Sequence, residues 1–178
     1  MSLREPAVET RLSAILARGR VETGFRALSP EDAVEHLLRP VLLAEGFSAQ
    51  AAVGALEGIR NREGAGSTSF GSVALPHARV PGLSRIVAAL GVNPEGVYAS
   101  GPSGIRVVLA FASPASATVE HLQFLAQVAR ILRASTGWSP SETTLLRHFH
   151  RLDLMVPGGA GPAVRTSRLR STSSSRAT

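Results

Sequence analysis

The sequence contains no cysteine, which removes thiolate nucleophiles, disulfides and cysteine metal sites together. Any covalent chemistry must use another side chain, and the expected location is cytoplasmic. Lysine is absent as well. All 19 cationic side chains are arginine, a bias read as codon usage in a GC-rich genome and not as an adaptation to phosphate. Long apolar runs are missing: no stretch of about 18 apolar residues occurs, and charges are spread through Met1 to Arg26, so neither a membrane span nor a secretory segment is expected. Aromatic residues make up only 4% of the chain, too few for a base-stacking surface. There is no Walker loop, no GxGxxG, no internal repeat and no His-x-x-x-His with carboxylates beside it, so no metal and no cofactor is expected.

What is present suits one well-cored domain: 178 residues, 44% hydrophobic and 18% charged. The formal charge of +6 is unevenly placed. Residues 1 to 150 hold 14 Arg against 12 acidic residues, whereas residues 151 to 178 hold 5 Arg against the single Asp153. A basic tail of this kind attracts polyanions weakly and reads no sequence. Specific nucleic-acid recognition is not expected, and non-specific binding through the tail is the alternative from another class.

Periodicity gives a coarse map. Pro6 to Ala17 carries Val8, Leu12, Ile15 and Leu16 at helical spacing and stops at Gly19. Val21, Thr23 and Phe25 alternate with polar residues as a short strand does. Ser29-Pro30-Glu31-Asp32 is a helix start, and Val34, Leu37, Leu38, Val41 and Leu42 form its apolar stripe, with Pro40 expected to kink or split it. A further helix begins at Ser48 and buries Val53, Leu56 and Ile59. Gly64 to Ser72 reads as a loop, followed by the short strand Val73-Ala74-Leu75, which Pro76-His77 should end. The runs 85–92 and 105–112 look like strands buried on both faces. Thr118 to Arg133 is the clearest helix, with Leu122, Leu125, Val128, Ala129 and Leu132 at steps of three and four. A last helix starts at Ser139-Pro140-Ser141-Glu142, a capping box, and buries Leu145, Leu146 and Phe149. Residues 158–178 should be a disordered basic tail. Strands interleaved with helices imply an α/β fold, a sheet covered by helices on its faces.

Five histidines are the candidates for chemistry. His36, His148 and His150 are assigned surface or structural roles. His77 follows a buried strand and a proline, where α/β sheets place ligands. His121 lies in the first turn of the strongest helix, where the positive dipole end favours an anion and keeps an imidazole neutral. Spacing alone is equally consistent with structural histidines and does not decide.

The string around His77 carries more. Arg62-Glu63, Ser67-Thr68, Gly71, Ala74-Leu75-Pro76-His77-Ala78-Arg79-Val80 and Gly82-Leu83, followed by His121-Leu122-Gln123-Phe124-Leu125-Ala126-Gln127, resembles the type-2 enzyme IIA domain of the bacterial phosphoenolpyruvate:sugar phosphotransferase system, the fructose, mannitol and nitrogen-regulatory class. The likeness covers a domain of about residues 8 to 152. It implies an α/β sandwich with a mixed five-stranded sheet between helical layers. It also implies that His77 accepts a phosphoryl group from the phosphorylated carrier protein HPr and passes it to the cysteine of an enzyme IIB partner. By the same match His121 would be the auxiliary histidine, Arg62 a phosphate-site cation, and Ser67 and Thr68 members of the surrounding loop. In the nitrogen-regulatory variant, the phosphorylation state of His77 would instead control binding to a regulatory target, which a chain lacking a fused transporter or IIB segment favours.

Two departures bear on the site. Ser69 stands where the family's glycine follows threonine, and one residue is missing between Gly71 and Ala74. A residue lost from a strand would turn His77 to the opposite face, so the shortening is expected to fall in the loop.

Overall fold

The computed structural model describes residues 8 and 10–134. The elements in chain order are α1 (Leu12–Arg18), β1 (Arg20–Thr23), α2 (Pro30–Ala44), α3 (Ala49–Gly64), β2 (Ser69–Phe70), β3 (Val73–Ala74), β4 (His77–Val80), β5 (Val87–Val92), β6 (Val107–Pro114) and α4 (Thr118–Ala134). The expected helix from Ser139 with Leu145, Leu146 and Phe149, the histidines His148 and His150, and the basic tail lie outside the described residues.

The sheet runs β1-β5-β6-β3-β2, with β4 also on β6. It is mixed: β1 is parallel to β5, β5 antiparallel to β6, and β3 and β4 parallel to β6. Six strands are hydrogen-bonded, but they occupy five positions. Val73 stands opposite Val107 and His77 opposite Phe111 in one unbroken register. The segments β3 and β4 are therefore a single strand with one rung missing at Pro76, which has no N–H to give. The Pro76 carbonyl still accepts from the Phe111 N–H at 3.1 Å. Here the sequence reading is corrected, because the strand does not end before His77. A proline on the outer strand deletes a donor without forcing the chain out of extended geometry.

Helices cover both faces. One face packs α2 and α3, through Leu37, Leu38, Leu42, Leu56 and Ile59, against Val87, Ala89, Val108 and Ala110. The other packs α1 and α4, through Leu12, Ile15, Phe124 and Val128, against Leu75, Leu90, Leu109 and Phe111. Continuous burial along β5 and β6 follows from this layering, since each residue meets a helix on one side or the other. At the end of α1, a Cβ on Gly19 would lie 1.9 Å from the Ala88 carbonyl oxygen, so glycine lets the helix settle onto β5.

Three helix expectations change. α1 begins at Leu12, and Val8 precedes it while still packing on the same cluster. α2 is not split by Pro40: the proline is exposed, so the carbonyl it leaves without a donor can be hydrated, and Ser29 caps the helix by accepting from the Asp32 N–H. In α4 the inward stripe is Phe124, Gln127, Val128 and Ile131, whereas Leu122 is 60% exposed. Gln127 is buried because its Oε1 accepts the Leu12 N–H at 2.8 Å, which joins α4 to the start of α1.

Candidate functional site

β2 and β3 form a hairpin whose two-residue turn is Gly71-Ser72. Gly71 has φ +57°, and no residue other than glycine has positive φ among the described residues, as a type II′ turn with glycine first requires. The chain thus makes a tight turn here, and β3 and β4 hold one register on β6. Alternation then places Leu75, His77 and Arg79 on the α1/α4 side, beside Phe111 and Ser113 of β6.

His77 is 6% exposed. Its ring stacks on Phe111 with centroids 4.8 Å apart and planes 4° from parallel. Its Nδ1 lies 2.8 Å from the Leu75 carbonyl oxygen. A carbonyl only accepts, so Nδ1 carries the proton and Nε2 keeps its lone pair. Leu75 is itself anchored, donating its N–H to the Thr68 carbonyl at 2.9 Å.

His121, half-buried in the first turn of α4, lies across from it. The ring centroids of His77 and His121 are 5.5 Å apart with a 38° tilt, and Phe111 sits 5.8 Å from His121. His121 Nδ1 is 2.7 Å from the Ser113 hydroxyl. Its backbone N–H is taken by the Ala117 carbonyl, so it is not one of the free donors of the helix start. Burial above all, then His77, Arg79 and Arg62, holds the His121 pKa below the ordinary histidine value. The imidazole is therefore neutral at physiological pH.

The remaining residues divide. Arg62, in the last turn of α3, donates to the Gly66 carbonyl at 2.8 Å and to the Thr68 hydroxyl at 3.4 Å, and its charge is felt at His121. Thr68 takes a backbone bond to the Glu63 carboxylate at 3.3 Å and closes the loop against Leu75. Ser67 is exposed in that loop and makes no hydrogen bond to either imidazole among the described residues. The sequence reading assigned no role to Arg79, whose guanidinium donates to the Thr118 hydroxyl at 2.8 Å and so bridges β4 to the start of α4. Phe111 is expected only as a strand residue, and Ser113 lies just beyond the expected run 105–112, which β6 extends to Pro114. Two-residue spacing from His77 and from Phe111 was the signal that could have found Arg79 and Ser113.

Two histidines thus meet on one side of a mixed sheet in an α/β domain, one tied to a carbonyl and the other at a helix start. The family model described as phosphoenolpyruvate-dependent sugar phosphotransferase system, EIIA 2, matches residues 14–136, and the chain belongs to that family. Among solved structures it is similar to nitrogen regulatory protein IIA-Ntr from Neisseria meningitidis, with a TM-score of 0.59 and 23% identity over 75% of this chain and 94% of that one. It is also similar to IIA mannitol from Escherichia coli, with a TM-score of 0.53 and 19% identity over 73% and 95%. A complex of Escherichia coli enzyme IIA-Mtl with phosphorylated enzyme IIB-Mtl matches with a TM-score of 0.54 and 16% identity over 74% and 94%. At these identities the likeness concerns the fold. No curated protein matches by sequence. Among the described residues, no helix is long and apolar enough to cross a membrane.

Proposed function

We propose that this chain is a cytoplasmic phosphocarrier in which His77 takes a phosphoryl group from phosphorylated HPr and gives it to an enzyme IIB partner. The observation that carries the reading is the Nδ1 bond of His77 to Leu75, which leaves Nε2 as the nucleophile with a second imidazole 5.5 Å away. The lone pair of Nε2 forms the new N–P bond in line as the donor's N–P bond breaks, and that electron pair returns to the donor imidazole. The proton stays on Nδ1, hydrogen-bonded to the Leu75 carbonyl, so no base is needed. Phosphoryl oxygens require donors: His121 faces His77, and Arg79 and Arg62, whose charges both act on His121, are the cations available to supply them. Passing the group to the partner's cysteine thiolate reverses the same step: a P–S bond forms, the N–P bond breaks, and Nε2 regains its pair. Membership of the EIIA 2 family supports the donor, and the solved mannitol IIA–IIB complex supports the acceptor class.

The test is incubation with phosphoenolpyruvate, enzyme I and HPr, followed by intact mass. One acid-labile phosphoryl group is expected on wild type and none on His77→Ala, and addition of the cognate IIB domain should remove it. A label that survives in His77→Ala would reject the assignment.

A further inference from the structure

We infer that Ser113 is a positioning residue for His121: its hydroxyl donates to Nδ1 of that imidazole and holds it in the tautomer that carries its proton on Nε2. Its part in transfer rests on the phosphocarrier reading; the tautomer itself does not.

Ser113 lies on β6, fully buried, with its Oγ 2.7 Å from His121 Nδ1. Among the described residues that Oγ has no other hydrogen-bond partner. A hydroxyl has one proton to give and two lone pairs, whereas a neutral imidazole has one donor nitrogen and one acceptor nitrogen, so the contact can run in only two ways. Were His121 to donate Nδ1–H to Ser113, the hydroxyl proton would be buried with nothing to receive it. In the reverse sense only oxygen lone pairs go unused, which costs less than an orphaned donor. The charges acting on His121, Arg79 from β4 and Arg62 from α3, are both positive and discourage a second proton on the ring. The acceptor nitrogen that Ser113 needs is therefore kept available.

The consequence is chemical. Phosphoryl oxygens only accept, so a bare Nε2 on His121 would repel them, while Nε2–H gives them a donor. His77 is set the opposite way, because its Nδ1 meets a carbonyl and not a hydroxyl. One backbone acceptor and one side-chain donor thus make two identical residues unlike: a nucleophile and a donor facing the same group.

The ring nitrogens of His121 in the 15N-labelled, unphosphorylated chain read this directly. Wild type should show Nδ1 in the far-downfield range of a nonprotonated nitrogen and Nε2 in the protonated range. The reverse pattern would overturn the inference. Ser113→Ala should give a mixture of tautomers, and Ser113→Thr, which keeps the hydroxyl, should restore one form; an unchanged tautomer ratio in Ser113→Ala would also overturn it. Phosphoryl acceptance by Ser113→Ala should slow by roughly threefold to tenfold, the span of one net hydrogen bond. If wild type shows the stated tautomer yet accepts no phosphoryl group, the phosphocarrier reading fails while the tautomer assignment stands.

Discussion

At the residue scale, the site works by giving each polar atom one partner of defined sense. In the proposed transfer, the Leu75 carbonyl decides which nitrogen of His77 can react, and Phe111 covers one ring face, so the approach left to a phosphoryl group is to Nε2. The arginines are not equivalent. Arg62 already gives hydrogen bonds to Gly66 and Thr68, whereas Arg79 holds only the neutral Thr118 hydroxyl among the described contacts. Arg79→Ala should therefore slow phosphoryl acceptance more than Arg62→Ala, by about tenfold, the value of a charge-assisted hydrogen bond of roughly 1.5 kcal/mol. Quench-flow transfer from phosphorylated HPr measures it, and equal losses in the two variants would contradict the ranking. His121 links the site to acid stability. Its folded pKa lies below its unfolded value of about 6.5, so below that pH the unfolded chain binds more protons than the folded one. Stability is then lost as pH falls from about 6.5 toward the depressed folded value and is not regained on going lower. Urea unfolding at pH 7.5 and pH 5 should show a smaller pH-dependent loss in His121→Gln than in wild type. Both histidines that the structure brings together were legible from the motif, whose order and spacing single out those two of the five. Phe111 was not, since an unbroken buried run hides which of its side chains faces the site, and Ser113 falls just past the apolar run that marks the strand.

At the scale of elements, register does most of the positioning. The Gly71-Ser72 turn sets β2 on β3, and the shared register of β3 and β4 on β6 makes His77 face α4 rather than α3. An insertion should separate the two contributions: one glycine added after Gly71 leaves His77 phosphorylation measurable, while one alanine added after Ala74 turns the imidazole to the other face and abolishes it. Gly71→Ala forces a side chain into a left-handed conformation and should cost about 1 kcal/mol of unfolding free energy by urea titration. Helix starts were plain in the sequence because capping is local: the side chains of Ser29 and Ser48 accept from the N–H groups of Asp32 and Ala51, as serine at those positions does. Helix faces were harder. Apolar spacing in α4 chose Leu122, but the long aromatic Phe124 wins the inward position by closing edge-on against Phe111 at 4.8 Å. The strand break at Pro76 was read too strongly for a similar reason, since one missing rung is local and the ladder on either side is not.

For the whole molecule, two cores share one sheet, and the site sits at the edge of the core formed by α1 and α4. That core is closed by a polar tie, Gln127 to the Leu12 N–H. Gln127→Leu keeps the volume but leaves a buried donor unpaired, so a loss of about 1–3 kcal/mol is expected by urea titration. The layered α/β plan was readable because alternating strand and helix patterns admit few architectures. The pairing of Gln127 was not, because its partner is a backbone group more than a hundred residues away. The central claim, that His77 accepts phosphate through Nε2, is tested most directly by 31P and 15N NMR of the chain after phosphorylation by HPr. The account predicts a single phosphohistidine, substituted on Nε2 of His77 with Nδ1 still protonated; phosphate on Nδ1, on His121, or on neither histidine would contradict it.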